Sequence, residues 1–467
     1  MEQAVAPKVR LLESASLQWR CAARSRIANT TALLPAIGRP DSVRTVRTSW
    51  PRVPRITESL IRSRSGALIA ALSFSTLATG VLQICLPLEL VRLHASPAAT
   101  GVTLSMFGFG MFAFEWLWGV AADKLGYWLP LVVSQVLYAV FIVALSQVNS
   151  VVLIAASYFL ASGMMVAVGP IARSYLGTAL HSGLRATGLA LLASQWVVAE
   201  AVGAGAGGAL IDRLPIHEVI LAGSALPAIS AVLVAMVFRG YRTADHQSVA
   251  DFDEQADQRR SSAGTTVVGV LVITAGLALL VQIGLGGELA LLPLLVTSQL
   301  HLSASAAGSA LLAVGLIAGV LLVPGGAAAD RWGRRPSMIA GGILLAMGYV
   351  IYALAGNFTG VLVGAGVRAG GASLIWPAAT AWIAESIPRR RHAFYMGIFG
   401  EFENVGVTIG PVIGGLIWSW AGIRAAFYSF AVAAVMAAVL AAVMVASRSA
   451  PTKHATDLLV QDLGSRR

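Results

Sequence analysis

Gly325-Gly326-Ala327-Ala328-Ala329-Asp330-Arg331-Trp332-Gly333-Arg334-Arg335-Pro336 lies between two long apolar runs. Three arginines and an aspartate so close together do not enter a bilayer cheaply. A charged side chain at the centre of a membrane helix costs roughly 2.5–3.5 kcal/mol even on insertion scales. The stretch is therefore expected to be a tight turn at a membrane surface, with an apolar span on either side.

The rest of the chain agrees. Of its 467 residues, 57% are hydrophobic and 12% charged, about half the charged share of a soluble domain, and the mean hydropathy is +0.76. Cys21 and Cys85 are the only cysteines, so neither a disulfide framework nor a multi-cysteine metal site is expected. Zinc-protease, phosphate-loop and nucleophile-elbow patterns are missing. No enzyme activity and no cofactor is therefore expected. The net charge of +11 does not indicate nucleic acid, because the basic residues sit in an N-terminal arm and in short loops between apolar runs.

Residues 1–65 hold twelve Lys or Arg against four acids, with scattered prolines and no apolar period; they read as a disordered basic arm. From Gly66 onward, twelve apolar runs are long enough to cross the hydrocarbon core: 66–91, 98–121, 128–146, 150–172, 184–210, 217–238, 266–297, 304–327, 337–355, 358–383, 393–419 and 422–446. Lipid cannot satisfy an open backbone and the alternation of barrel strands is missing, so these are helices. A polar linker at 239–263 divides two six-helix bundles, 66–238 and 264–446, and a tail occupies 447–467. Basic residues gather on one side: the arm, Lys124, Arg173 to Arg185, the linker, Arg331 to Arg335, Arg389 to Arg391 and the tail. By the positive-inside rule this side and both termini are cytoplasmic.

The chain repeats itself. An offset of 207 residues carries Gly101 onto Gly308, Gly108 onto Gly315, Gly119 onto Gly326, Asp123 onto Asp330, and Gly126 onto Gly333. The same shift carries Pro170 onto Pro377, and Gly203, Gly207 and Gly208 onto Gly410, Gly414 and Gly415. A constant offset over about 110 residues points to duplicated halves, as in many transporters.

Gly326, Asp330, Arg331, Gly333, Arg334 and Arg335 form a pattern that resembles the signature loop of the major facilitator superfamily. Gly119, Asp123, Lys124 and Gly126 form its earlier copy, in which Tyr127 and Trp128 replace the two trailing arginines. The resemblance covers residues 66–446. It implies two pseudo-symmetric six-helix bundles that rock about a central cavity. It also implies that Asp123 faces the start of the eleventh span near Arg391, and Asp330 the start of the fifth near Arg185, latching the cytoplasmic side. A further glycine motif, Gly406, Gly410, Pro411, Gly414 and Gly415, is similar to one that drug/proton antiporters carry in the fifth span. Here it lies in the eleventh. The fifth has only Gly203, Gly207 and Gly208, with Ala199 and Ala204 in the other slots, and the fourth lacks the arginine usual in that branch. Both glycine faces are expected to pack against the opposite half.

Ionisable residues inside spans are functional candidates because burial is costly. Arg368, Glu401 and Glu403 lie at similar depth, and one of the two acids is expected to pair with Arg368. Glu115 and Glu200 are further candidates for coupling. Glu89 and Glu288 are expected at the outer mouth, Gln83, Gln195 and Gln282 along the cavity, and Trp116, Trp196 and Trp376 in its walls.

The resulting expectation is a monomeric secondary transporter of a small organic molecule in a lipid bilayer, with proton-coupled export favoured, in a bacterial inner membrane. Import of an anionic metabolite, with Arg368 as counter-charge, stays open. So does a sensor that transports nothing.

Overall fold

The computed structural model describes residues 63–180, 182–239, 264–386 and 392–444. Most of the arm, the linker and the tail lie outside these ranges, as does Arg391. The described residues contain no strand. They form twelve helices long and apolar enough to cross a membrane, and the chain is an integral membrane protein.

In chain order the first six are α1 (Arg64–Arg92), α2 (Pro97–Leu125), α3 (Trp128–Gln147), α4 (Val151–Met165 and Val168–Ala179), α5 (Ser182–Ile211) and α6 (Ile216–Gly223 and Ala225–Val237). The second six are α7 (Gly264–Leu294, followed by a π turn Leu295–Gln299), α8 (Ala304–Trp332), α9 (Arg334–Leu354), α10 (Phe358–Ser386), α11 (His392–Ala421) and α12 (Ile423–Met444). Prolines account for the interruptions. Pro170 has no N–H to offer the Val166 carbonyl, and α4 breaks there; Pro227 does the same to Gly223, where α6 breaks.

The halves share a plan. Among the first six, α1 packs on α5 and α6, α2 on α4, and α3 on α4 and α6. Six helices later, α7 packs on α11 and α12, α8 on α10, and α9 on α10 and α12. The two sets meet chiefly through α2 with α11 and α5 with α8, contacts that the repeat exchanges. Local geometry repeats as well. Ser96 accepts from the Ala99 N–H and Ser303 from the Ala306 N–H, both at 3.2 Å, while His94 and His301 share a φ of 54°.

The opening stretch behaves differently from a simple turn. Helix α8 continues through Asp330 and Arg331 to Trp332 and stops only at Gly333, with φ 93° and ψ 160°. Gly126 ends α2 likewise, at φ 76° and ψ 179°, a backbone region open essentially to glycine alone. Helices of 29 residues run about 44 Å, well beyond the roughly 30 Å hydrocarbon core. The last turn can therefore carry charge while remaining helical, and a base there also faces the negative end of the helix dipole. The face bearing these two turns is called the signature face below.

Candidate functional site

The contact between halves is built from glycines in register. At the face opposite the signature face, a methyl group on Gly101 of α2 would lie 2.9 Å from Gly415 Cα of α11, and one on Gly308 of α8 would lie 3.0 Å from Gly208 Cα of α5. Each pair is the repeat image of the other. One heptad deeper, Gly108 abuts the Thr408 backbone and Gly315 abuts Ala201, again equivalent pairs. Seven residues bring a helix back to nearly the same face, so each seam runs straight from the opposite face toward the middle.

The α2–α11 seam ends at a polar contact. Glu115, one heptad below Gly108, accepts a hydrogen bond from Asn404 Nδ2 at 2.7 Å. Arg173 of α4 reaches the other carboxylate oxygen at 3.8 Å. Beyond this point the helices part: Gly119, four residues past Glu115, and Gly397, seven before Asn404, have nothing within 4 Å where a side chain would begin. Glu401 and Glu403 both lie within electrostatic range of Glu115, and Glu403 also within range of Arg173. Three acids and one arginine thus surround the fork. One Glu401 oxygen is buried and has no hydrogen-bond partner among the described residues.

Arg368 lies elsewhere. It is 6% exposed and donates from Nε to Glu288 at 2.5 Å, so neither Glu401 nor Glu403 is its partner. Glu288 is fully buried, bonded also by the Tyr352 hydroxyl at 3.0 Å, and is not a mouth residue. Three helices of the second half, α7, α9 and α10, close around this pair. Glu89 is buried as well, with one oxygen paired to Arg92 at the end of α1 at 2.6 Å.

Glu200 of α5 accepts from Gln83 of α1, and Gln195 donates to Thr76 at 3.1 Å. Gln83 lines a cavity between the halves together with Phe107, Tyr158, Leu289, Val407 and Pro411. In this conformation it has room for about one water molecule. Trp376 packs edge-on against Phe399 at 5.7 Å and lines an apolar recess within the second half. Trp116 is 60% exposed, and Trp196 packs against the core.

The glycine motifs divide their work. Gly203 and Gly207 pack on α1, and Gly406 and Gly410 on α7, with Gln282 Cβ 2.5 Å from a methyl on Gly406; Gly414 meets Leu291 and Phe430. All of these contacts are within one half. Gly208, Gly415 and the Pro411 carbonyl beside Gly101 reach across, which corrects the expectation that both glycine faces pack between halves. Adjacent glycines project about 100° apart on a helix, so one motif serves two neighbours.

At the signature face, Asp330 pairs with Arg334 at 2.5 Å, and Arg334 with Glu385 of α10 at 2.7 Å. Arg335 donates to the Ala442 carbonyl at 2.6 Å. The partner of Asp330 is thus in its own half. The Arg185 side chain and Arg391 lie outside the described set. Asp123, Lys124 and Arg331 are exposed, and Asp123 makes no ion pair with a described residue. Where the second copy has Arg334, Tyr127 packs on Tyr175 at 5.8 Å. Gly326 has only Pro377 of its own half nearby, at 3.6 Å.

A family model described as "Major Facilitator Superfamily" matches residues 67–283 and 271–461. The chain belongs to the major facilitator superfamily. Among its curated relatives, the inner membrane transport protein YajR of Escherichia coli is 29% identical over 164 residues, 34% of this chain and 36% of that protein. An uncharacterized MFS-type transporter of Methanocaldococcus jannaschii is 29% identical over 128 residues, covering 26% and 33%. The multidrug transporter protein MdtP of Bacillus subtilis is 29% identical over 111 residues, covering 22% and 20%. These matches span about a third or less of each relative. Among solved structures, a bacterial homologue of the lysosomal transporter Spinster superposes with a TM-score of 0.70 at 13% identity, over 84% of this chain and 98% of that one. The nucleoside transporter NupG gives 0.64 at 17% identity, over 82% and 100%.

Three of this superfamily member's cross-helix contacts escape a reading of the spans. Asn404 carries no charge, yet it bonds Glu115; the heptad spacing of Gly101, Gly108 and Glu115 is the signal that places Glu115 on the seam. Arg173 lies six residues inside the end of α4, because that helix extends to Ala179. Asp212, just past α5, accepts from the Ala304 and Ser305 N–H groups at the start of α8, each at 3.2 Å, fastening the second seam at the face opposite the signature turns.

Proposed function

We propose that the chain moves a small organic molecule across a bacterial inner membrane by alternating access, coupled to protons and in the direction of export. The observation that carries this reading is the fork between α2 and α11, where Glu115 meets Arg173 and lies within electrostatic range of Glu401 and Glu403. Acids held in low dielectric where two helices part suit a group that gains and loses a proton in each cycle. The arrangement of basic residues makes the signature face and both termini cytoplasmic, so the parted helices open inward. The partial glycine motif and the relative named as a multidrug transporter favour export. Import of an anion loses its support, because Glu288 already neutralises Arg368. The Asp123 and Asp330 turns act as unequal latches that engage when the inner side closes, and the protein works as a monomer.

The test has two stages. A thermal-shift screen of purified protein identifies a compound that raises the melting temperature. Proteoliposomes with an imposed pH gradient then report proton movement on adding that compound, and inverted vesicles report its direction. Flux unchanged in Glu115→Gln, Glu200→Gln, Glu401→Gln and Glu403→Gln would remove all four from coupling. Accumulation in right-side-out vesicles would reverse the assigned direction.

A further inference from the structure

The cavity between the halves has unlike walls. Gln83 of α1 and Ala290 of α7 are equated by the offset of 207, and both line it. The same offset places Glu200 of α5 where α11 has Val407, and Val407 lines the cavity too. On the first-half side, these two positions hold a bonded pair, the Gln83 amide donating to the Glu200 carboxylate. On the second-half side they hold two apolar side chains. Leu289 adds to that apolar wall, while Phe107 stacks on Tyr158 across from it with ring centroids 5.7 Å apart. Tyr158 also lies within electrostatic range of Glu200, which ties the acid to the cavity by a second route.

Glu200 lacks a counter-charge. It is half-buried, and its donors, the Gln83 amide and the Trp196 indole, are both neutral. It forms no ion pair with a described residue. Arg368 is within electrostatic range, but Glu288 already holds it. Two carboxylates therefore share one guanidinium, and the surplus one stands on the first-half wall. A carboxylate away from water is costly without a cation beside it. An arriving cation would supply that charge, and the faces of Phe107 and Tyr158 would add a cation–π attraction. An anion would meet the surplus charge, and a neutral molecule would gain nothing from it.

We propose that this cavity takes monovalent organic cations with an apolar or aromatic body, bound with the charged group on the Glu200 side and the apolar end against Leu289, Ala290 and Val407. The inference rests on the export reading, for which it names the substrate class. With room for about one water molecule in the conformation described, the Gln83 amide stands in for the cation as donor to Glu200.

The probe is benzyltrimethylammonium. Neopentylbenzene has the same shape without charge, benzylsulfonate a similar shape with the opposite charge, and tetramethylammonium the charge without the ring. Equilibrium dialysis of radiolabelled benzyltrimethylammonium against purified full-length protein, corrected for uptake by protein-free micelles, is expected to show saturable binding. None of the other compounds should displace it at equal concentration. Glu200→Gln should weaken binding by about tenfold or more, the scale of one contact to a charged group. Glu200→Asp, which keeps the charge, should bind the probe more tightly than Glu200→Gln. The comparison of probes on the unaltered protein stands even where a variant fails to fold. Absence of saturable binding overturns the inference, as does displacement by benzylsulfonate, neopentylbenzene or tetramethylammonium as effective as by unlabelled probe. Binding that Glu200→Gln leaves unchanged overturns it as well. Inverted vesicles separate the two readings. Parent-like accumulation of a screened compound in vesicles carrying Glu200→Gln sinks the cation site and leaves export standing. Glu200-dependent binding of benzyltrimethylammonium without its accumulation sinks export and leaves the cation site.

Discussion

The two halves fold alike and place their charge differently. In the second half, Glu288, Tyr352 and Arg368 form a buried polar knot; the offset of 207 puts Val81, Leu145 and Ala161 at the equivalent buried positions of the first. Between halves, the α2–α11 seam has its polar contact in the middle, at Glu115 and Asn404, where the α5–α8 seam has Leu322 and Val197. The α5–α8 seam has its own polar contact at the rim, at Asp212, where the other has Ser419 bonded to its own helix. One packing scheme occurs twice, and each polar device occurs in a single copy. Backbone approach at glycines is a property of the scaffold; charge is where the copies specialise.

Making the second core resemble the first should give the largest effect in stages. Glu288→Val alone strands a buried guanidinium and is expected to destabilise by about 3–5 kcal/mol, whereas Glu288→Val with Arg368→Ala should recover most of this loss. Thermal melting of the purified proteins measures both. A double variant as unstable as the single one would show that the knot is not a dispensable addition to the shared core. Next come the glycines: Gly101→Leu and Gly308→Leu should each cost about 1–3 kcal/mol from overpacking, and by nearly equal amounts. Clearly unequal melts would break the equivalence of the seams.

Asp212→Ala should cost about 0.5–2 kcal/mol, as for loss of a helix N-cap, and should raise labelling of a thiol at Ser305 from the face opposite the signature turns. Labelling unchanged from the parent would mean that the rim contact does not hold the seam. The smallest effect is at the signature turns, where exposed ion pairs contribute about 0–1 kcal/mol. Asp330→Asn should slow transport of a compound found by the screen more than Asp123→Asn does, and equal losses at equal expression would remove the asymmetry between the copies.

The sequence made the scaffold legible because its signals are periodic. Glycines at a fixed offset return as matching contacts at Gly101 with Gly415 and Gly308 with Gly208, and as the matching turns at Gly126 and Gly333. The partner of Arg368 was not legible in this way. Its depth matches that of Glu401 and Glu403, but depth does not say which helices are adjacent, and α10 packs on α9 and α8 rather than facing α11 broadly. Glu288 lies near the end of its apolar run and so reads as peripheral; Tyr352 and Arg368 arrive from other helices to bury it. At the signature stretch helix persists where a tight turn is expected, since helices longer than the hydrocarbon core carry charge in their last turn without unwinding.

Asp212 has a consequence for the order in which the far side can come undone. It holds the first two N–H groups of α8, and Ser303 holds the third. At the equivalent start of α2, Pro97 has no N–H at all. The rim therefore has a fastened edge and a free one. In the proposed cycle the α2–α11 edge is therefore expected to part before the α5–α8 edge at this face, which would open a sidelong slot beside Gly101 and Gly415 ahead of any central pore.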